Sequence, residues 1–183
     1  MVRFVAAVKE ELGELPGTLV GVGLIAAATS VAKLLAAERP TGIILVGTAG
    51  SFSGHPPIGA VVAAQLVGLG SVAETLGLGY VPRAPGPIET DARLRHCLGL
   101  PTARVLTNLA ITTDSVLARR FAADWEVEHM EAYAVAYACA DAGVPFVAVL
   151  GVTNFVGPSA HAAWVLHRVA MSSAAQQAAL RLA

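Results

Sequence analysis

Residues 127–157 read VEHMEAYAVAYACADAGVPFVAVLGVTNFVG, and this stretch decides the fold. Its Ala-rich part, which begins at Glu131 and ends at Gly143, predicts a helix. The apolar run from Pro145 to Val152 predicts a buried strand, and Asn154 follows it at a polar tip. In an open α/β sheet, a carboxylate at a helix start and an amide at the carboxyl end of a strand can converge on one crevice. We therefore expect Glu131 and Asn154 to face the same ligand.

Apolar runs and amphipathic stretches alternate along the rest of the chain. Further strands are predicted at residues 2–8, 18–22, 42–46, 59–67 and 104–107, and further helices at residues 24–37, 116–123 and 158–182. The predicted inner faces of the first and last of these helices are Ile25, Ala28, Val31, Ala32 and Leu35, and Trp164, Val165, Val169 and Ala178. This alternation predicts an α/β protein with a mainly parallel sheet. The length favours a single domain over residues 1–183.

The charge pattern argues against two classes of partner. Formal net charge is −1 and no Lys/Arg cluster stands out, so we expect no nucleic-acid groove, which needs grouped cations. Residues 41–73 carry no Asp, Glu, Lys or Arg, yet glycines and prolines interrupt them, so we expect no membrane-spanning helix. The segment MVRFVAAVKEE becomes acidic too early for a secretory signal. We expect a cytoplasmic protein.

Metal and disulfide chemistry have little support in the sequence. Cys97 and Cys139 are far apart and form no paired motif, and the five His residues show no metal-binding spacing. We predict no metal and no cofactor. His129 is expected to face outward. His161 is expected to belong to the first turn of the last helix, with a role in a ligand pocket as the alternative. Asp114 is expected to cap the helix that follows it, with ordering of the preceding loop as the alternative.

Several segments match, in order, those of a known family. They are AAVKEEL (residues 6–12), GVGLIAAATSVAKLL (21–35), IILVGTAGS (43–51), TTDSV (112–116) and VEHMEAYAVAYACADAGVPFVAVLGVTN (127–154). Together they resemble the purine nucleoside phosphorylase and nucleosidase superfamily. GTAG alone is a weak motif, whereas the ordered set with its spacing from MEA to VTN is specific. The resemblance implies three layers, with a mixed, mostly parallel central sheet flanked by helices.

The resemblance also implies roles for individual residues. Glu11 matches the acid that activates the attacking water, and Met130 and Glu131 match the pair that binds the sugar. Asn154 matches the position that holds the base, where adenine-specific nucleosidases carry Asp. The remaining predicted substrate-binding positions are the sugar- and base-lining loop Thr48, Ala49 and Gly50, and Val116.

The sequence departs from the family at four places, the first of which is Ser51, where a second Gly is common. Residues 44–46 contain no Arg, although phosphorylases carry a phosphate-binding Arg just before the glycine loop, so water is the expected nucleophile. Ala60 stands where Asp is usual. Val116 stands where an aromatic ring often stacks on the base, with Phe52 and Phe155 as alternative stacking residues.

Asn154 is the residue that predicts the base. Adenine protonated at N7 presents two donors, which suit a carboxylate. Protonated hypoxanthine presents a donor at N7 and an acceptor at O6, which suit the donor and acceptor of an amide. We therefore predict a 6-oxopurine leaving group. The alternative is that Asn154 only satisfies the backbone at a strand end.

Among hydrolases of the superfamily with an amide at this position, the sequence resembles the futalosine hydrolases, through VEHME (residues 127–131) and VTNFVGPSAHAAW (152–164). This similarity implies release of hypoxanthine from futalosine, an inosine-type nucleoside with a carboxyphenyl ketone at its 5′ end, on a menaquinone route. Candidate cations for that end are Arg83, Arg93, Arg119 and Arg120. The alternatives are a methylthioadenosine/S-adenosylhomocysteine nucleosidase, a nucleoside phosphorylase, or a catalytically weak nucleoside-binding module. The family also implies a homo-oligomer, for which the uncharged residues 41–73 could supply an exposed patch.

Overall fold

The computed structural model describes residues 1–82 and 86–183. Within these residues eight strands form one sheet: β1 (Val2–Ala6), β2 (Gly17–Leu19), β3 (Gly42–Ser51), β4 (Val61–Leu69), β5 (Ile88–Glu89), β6 (Thr102–Thr107), β7 (Val127–His129) and β8 (Phe146–Phe155). The helices are α1 (Lys9–Leu12), α2 (Leu24–Ala37), α3 (Val72–Thr75), α4 (Ala92–Leu98), α5 (Ser115–Phe121), α6 (Ala132–Asp141) and α7 (Ala160–Ala179), which ends in a 3₁₀ turn (Leu180–Leu182).

The sheet is mixed and mostly parallel, as predicted. The parallel pairs are β1–β2, β1–β3, β3–β8, β4–β6 and β6–β7, and the antiparallel pairs are β3–β7, β4–β5 and β4–β8. The expectation of an open sheet is wrong, because β7 joins β3 to β6 while β8 joins β3 to β4. The strands β3, β8, β4, β6 and β7 therefore close into a ring.

Helices cover both faces of the sheet, which gives the predicted three layers. On one face, Val31 of α2 and Val135 of α6 pack against strand residues such as Leu45. On the other face, Leu12 of α1 and Ala175 of α7 belong to a second core cluster. Strands β3 and β8 lie between these clusters, and nearly every residue of each is buried. Apolar runs without alternation are the pattern expected of such doubly covered strands.

Two predicted helix faces are only partly correct: Val31, with Ala28 and Leu35 packed beside it, and Ala178 face the core as predicted, whereas other members do not. In α2 the buried residues are Ala27, Val31 and Leu34, while Ile25 is 83% exposed and Ala32 is also exposed. In α7 Val165 and Val169 are exposed. Residues buried on α7 are Ala160, Met171, Ser172, Ala175 and Ala179. The Ala-rich composition of both helices explains these errors, because small residues on several faces leave the apolar stripe poorly defined.

The uncharged segment 41–73 exposes two large apolar side chains, Leu69 and Val72, at its end. Its strands β3 and β4 lie mainly in the interior, where they pair with β8. Exposed apolar side chains cluster just beyond it, at Leu76, Leu78, Tyr80 and Val81. In the described part of the chain, no helix combines the length and apolar character needed to cross a bilayer.

Candidate active site

A cavity of about 400 Å³ lies over the carboxyl-terminal halves of β3 and β8. It collects all but one of the predicted site residues, namely Glu11, Thr48, Ala49, Gly50, Met130, Glu131 and Asn154. The predicted loop at residues 48–50 is in fact the end of β3, which continues to Ser51 beside β8. A β-bulge between β3 and β8 shifts the register so that Gly50 pairs with Asn154. This pair lies at the floor of the cavity.

Val116 is the predicted site residue that does not line the cavity. It lies in the first turn of α5 with 51% of its surface exposed. Asp114 caps this helix, as predicted, by accepting hydrogen bonds from the backbone N of Val116 at 2.9 Å and of Leu117 at 2.7 Å. This cap fixes the helix start and leaves Val116 in solvent. Ile111, in the segment before the cap, lines the cavity instead.

The two alternative stacking residues also lie outside the cavity lining. Phe52 is buried against Phe121, with ring centroids 5.8 Å apart. Phe155, at the end of β8, is 48% exposed. Neither ring is among the groups that surround the cavity. Ile111 and Met130 are apolar side chains that do line it and can contact a bound nucleoside.

Glu11 is held by one of its two carboxylate oxygens. Its Oε1 accepts hydrogen bonds from Thr48 N at 3.0 Å and from Thr48 Oγ1 at 2.9 Å. Burial raises the pKa of Glu11 from 4.5 to about 7; the Thr48 hydroxyl opposes this rise and the charge of Glu131 adds to it. A carboxyl group that titrates near neutral pH is suited to accept a proton from water.

Glu131 occupies a helix start without capping the helix. It is the N-cap residue of α6, but its side chain makes no cap hydrogen bond. That place is taken by His129, whose Nδ1 accepts from the backbone N of Glu131 at 3.0 Å and of Ala132 at 3.1 Å. Glu131 Oε1 instead accepts from Gly23 N at 2.7 Å, where the positive φ of 86° at Gly23 starts α2. The Glu131 carboxylate is therefore available to a ligand.

His129 is neutral in this arrangement. An Nδ1 that accepts backbone N–H groups carries its lone pair there, so the ring proton resides on Nε2. Burial lowers the pKa of His129 and favours the same form. The 3.3 Å approach of Nδ1 to Glu131 Oε2 is thus not an ion pair. The prediction that His129 faces outward is wrong, because all three residues of β7 are buried between β3 and β6.

Asn154 keeps one donor and one acceptor for a ligand. Its Oδ1 accepts from Thr153 Oγ1 at 2.7 Å, and its Nδ2 donates to Phe155 O at 3.2 Å. A carboxamide has two N–H donors and two oxygen lone pairs, so half of its capacity stays open. Gly50 makes room for this amide, because a Cβ there would lie 2.8 Å from Asn154 Nδ2.

The cavity is rich in carboxylates. Glu10, Glu11, Glu128 and Glu131 line it, whereas Arg168 is its only Lys or Arg among the described residues. Arg168 is already paired with Glu10. At the position of the phosphorylase Arg, residues 44–46 are fully buried and apolar. Such a cavity repels a phosphate anion and stabilises positive charge on a sugar.

One end of the cavity is formed by α7. Trp164 stacks on His161 with ring centroids 5.8 Å apart, and the guanidinium of Arg168 lies 5.1 Å from the Trp164 ring centroid. Trp164 Nε1 donates to Thr48 Oγ1 at 3.2 Å. Because an indole N–H only donates, the Thr48 hydroxyl must direct its own proton to Glu11. Ser172 Oγ is buried here without a hydrogen-bond partner in the described chain.

The sequence analysis missed the cation at this end. Arg93, Arg119 and Arg120 are exposed and away from the cavity, and Arg83 lies outside the described residues. Trp164 was predicted on the inner face of α7, and Arg168 follows it at helical spacing, which is the signal that could have revealed this cation. Glu128 was also missed, because three-residue β7 is too short to show an alternating pattern.

Comparisons with known proteins relate this chain to one superfamily. A model of the phosphorylase superfamily matches residues 13–183. The 5′-methylthioadenosine/S-adenosylhomocysteine nucleosidase of Chromohalobacter salexigens is 31% identical over 153 residues, 75% of this chain and 65% of the relative. The futalosine hydrolase of Streptomyces coelicolor is 32% identical over 162 residues, 79% of this chain and 68% of the relative. The chain thus spans about two thirds of the length of these curated relatives.

The fold is also that of a solved nucleosidase. The 5′-methylthioadenosine/S-adenosylhomocysteine nucleosidase of Helicobacter pylori, in complex with butyl-thio-DADMe-Immucillin-A, superposes with a TM-score of 0.84 at 14% identity. The superposition covers 99% of this chain and 95% of the other. At that identity the likeness shows the shared fold alone.

Proposed function

The chain belongs to the phosphorylase superfamily, and on this premise we propose that it is an N-ribosidase that hydrolyses a 6-oxopurine nucleoside, with futalosine as the substrate. The observation that carries the proposal is the meeting of Glu11, Glu131 and Asn154 in one cavity. Glycosidic cleavage develops positive charge on the sugar and negative charge on the base. Two carboxylates and one amide are suited to these two charges.

The proposed reaction uses water and no cofactor. Glu11 Oε2, which receives no hydrogen bond from the described residues, orients a water molecule and accepts its proton. The water oxygen bonds to C1′ as the bond from C1′ to N9 of the base breaks. Glu131 accepts from the ribose hydroxyls, and Met130 lies beside it in the cavity. The departing base takes up a proton at N7 from solvent while Glu11 returns the proton of the attacking water to solvent, so that no net proton is gained or lost. Asn154 accepts from this N7–H and donates to O6.

The charge of the cavity favours hydrolysis over phosphorolysis. A phosphate nucleophile would enter among four carboxylates, and the one Arg among the described lining residues is paired with Glu10. Such an anion lacks the positive charge it needs. Incubation of the protein with an inosine-type nucleoside, with and without phosphate, tests this step. We expect free hypoxanthine and a free sugar at the same rate in both buffers, whereas a phosphate-dependent sugar phosphate would support a phosphorylase.

The α7 end of the cavity supports the choice of futalosine. A carboxyphenyl group is flat and anionic, and this end presents the Trp164 ring with Arg168 beside it. Arg168 has five N–H donors, so its bond to Glu10 leaves donors for a ligand carboxylate. We propose that Arg168 binds the 5′ carboxylate while Trp164 contacts the phenyl ring.

The second candidate is a methylthioadenosine/S-adenosylhomocysteine nucleosidase. Relatives with that name are among those most similar to this chain. The apolar side chains Val8, Val22 and Ile111 at the cavity would also suit a small thioether. Asn154 argues against this candidate, because two donors on a protonated adenine need two acceptors.

We also propose that the protein is a cytoplasmic homo-oligomer. Val8, Val22 and Ile111 line the cavity and are 38%, 59% and 48% exposed. A second copy that covered this apolar rim would exclude water from the bound nucleoside. Sedimentation of the purified protein tests the proposal: a dimer or larger is expected, and a monomer at assay concentration contradicts it.

A further inference from the structure

Glu128 faces the same cavity as Asn154 from the other side of Gly50. Gly50 of β3 pairs with Glu128 of β7 and also with Asn154 of β8. Residues paired across neighbouring strands point to the same face of a sheet. With strands about 4.8 Å apart, the Cα atoms of Glu128 and Asn154 lie roughly 10 Å apart. Gly50, without a side chain, lets the Asn154 amide lie over β3, 2.8 Å from where a Cβ would be, and so on the side of β8 that faces Glu128. Both residues line the cavity.

The Glu128 carboxylate has one lone pair left. It is 6% exposed, and its Oε1 accepts from Asn108 Nδ2 at 2.8 Å and from the Thr112 hydroxyl. Its Oε2 accepts from Thr112 N at 3.0 Å. A carboxylate offers about four lone-pair sites, so Oε2 retains one, and Glu128 is among the residues that line the cavity. An ionised carboxylate can only accept hydrogen bonds, so this site selects a donor.

We propose that Glu128 is a specificity-determining residue that accepts the N1–H of a 6-oxopurine. The inference rests on the proposed function. In a 6-oxopurine, N1–H neighbours O6, so a base whose O6 and N7 meet Asn154 turns N1–H away from that amide. In adenine N1 is an acceptor, and two acceptors that meet in a buried site repel each other. Asn154 and Glu128 thus recognise adjacent edges of one base.

Binding of free bases tests this role without catalysis. We would measure hypoxanthine, 1-methylhypoxanthine and adenine by titration calorimetry on wild-type protein, Glu128→Gln and Asn108→Ala. Wild-type protein should bind hypoxanthine at least about tenfold more tightly than either other base, because only hypoxanthine presents N1–H. Glu128→Gln should reduce the difference in affinity between hypoxanthine and adenine, because the Gln amide can donate to N1 of adenine. Asn108→Ala removes a hydrogen bond to Glu128 but keeps the Glu128 carboxylate, so it should preserve the order of affinity of the three bases.

The results separate this inference from the proposed function. Equal binding of hypoxanthine and 1-methylhypoxanthine by a wild-type protein that releases hypoxanthine from nucleosides would overturn the role of Glu128 alone. That role would also be overturned if Glu128→Gln and Asn108→Ala weakened the binding of hypoxanthine and of adenine by the same factor. Glu128 would then only hold Asn108 and Thr112 in place. Release of adenine in place of hypoxanthine would overturn both the role of Glu128 and the proposed function.

Discussion

Thr48 donates two hydrogen bonds to the same oxygen of Glu11, one from its backbone N at 3.0 Å and one from its hydroxyl at 2.9 Å. This double contact fixes the carboxylate and leaves Oε2 for a ligand. The Thr48 hydroxyl is itself oriented by Trp164, which donates to it at 3.2 Å. The proposed base for water activation is thus tied to the aromatic end of the cavity, where the 5′ group of the nucleoside would bind.

Activity should rise with pH through about 7 and should depend on Glu11. Burial raises the pKa of Glu11 to about 7, and only its ionised form can accept a proton. Glu11→Gln should lower kcat by about 10²–10⁴-fold. Steady-state hydrolysis between pH 5 and 9 measures both effects. A variant that kept full activity would exclude Glu11 as the base.

The same pKa predicts how stability changes with pH. The folded protein holds the Glu11 proton more tightly than the unfolded chain does. The contribution of Glu11 to the free energy of unfolding is therefore favourable below about pH 4.5 and is lost as pH rises through about 7. The melting temperature of Glu11→Gln relative to wild type should therefore increase from pH 5 to pH 8. An unchanged difference would mean that Glu11 is not desolvated in solution.

Thr48→Val should move the activity profile to higher pH. The Thr48 hydroxyl lowers the pKa of Glu11, so its loss should raise the acidic limb by about one pH unit. Thr48→Ser is the matched control, because it keeps the hydroxyl and should keep the profile. If the activities of the two variants have the same pH dependence, the Thr48 hydroxyl does not hydrogen-bond to Glu11 in solution.

The sequence predicted the central elements of the fold and the residues of the cavity floor. Strands β3 and β8 and helix α2 have long apolar or amphipathic patterns that are recognisable without tertiary information. The closed ring of strands was not predictable, because it depends on β7, only three residues long. The burial of His129 and Glu128 follows from that strand and was missed with it. Val116 was misplaced because a capped helix start turns it into solvent.

Arg168→Met should impair futalosine far more than inosine. Loss of a charge-assisted hydrogen bond to the 5′ carboxylate should raise KM for futalosine about 10–100-fold, while inosine lacks that group. Arg119→Met, an exposed change on α5, should leave both substrates unaffected. Equal effects of Arg168→Met on futalosine and inosine would show that Arg168 acts only through its pair with Glu10.

Asn154→Asp should redirect the protein toward 6-aminopurines. The carboxylate offers two acceptors, which match the two donors of adenine protonated at N7 and repel O6 of hypoxanthine. The ratio of kcat/KM for adenosine to that for inosine should rise at least about tenfold. Asn154→Ala removes both contacts, so it should slow inosine more than adenosine, and the ratio should rise less than in Asn154→Asp because no second acceptor is added. If Asn154→Asp leaves this ratio unchanged, Asn154 is not the residue that recognises the base.

The identity of the released base tests the central claim most directly. The wild-type protein would be incubated in phosphate-free buffer with futalosine, inosine, methylthioadenosine and S-adenosylhomocysteine, and free bases separated by chromatography. We predict hypoxanthine, released fastest from futalosine, with little adenine from the other two. Rapid release of adenine, with futalosine left intact, would contradict the claim that the Glu11, Glu131 and Asn154 side chains form a site for a 6-oxopurine nucleoside.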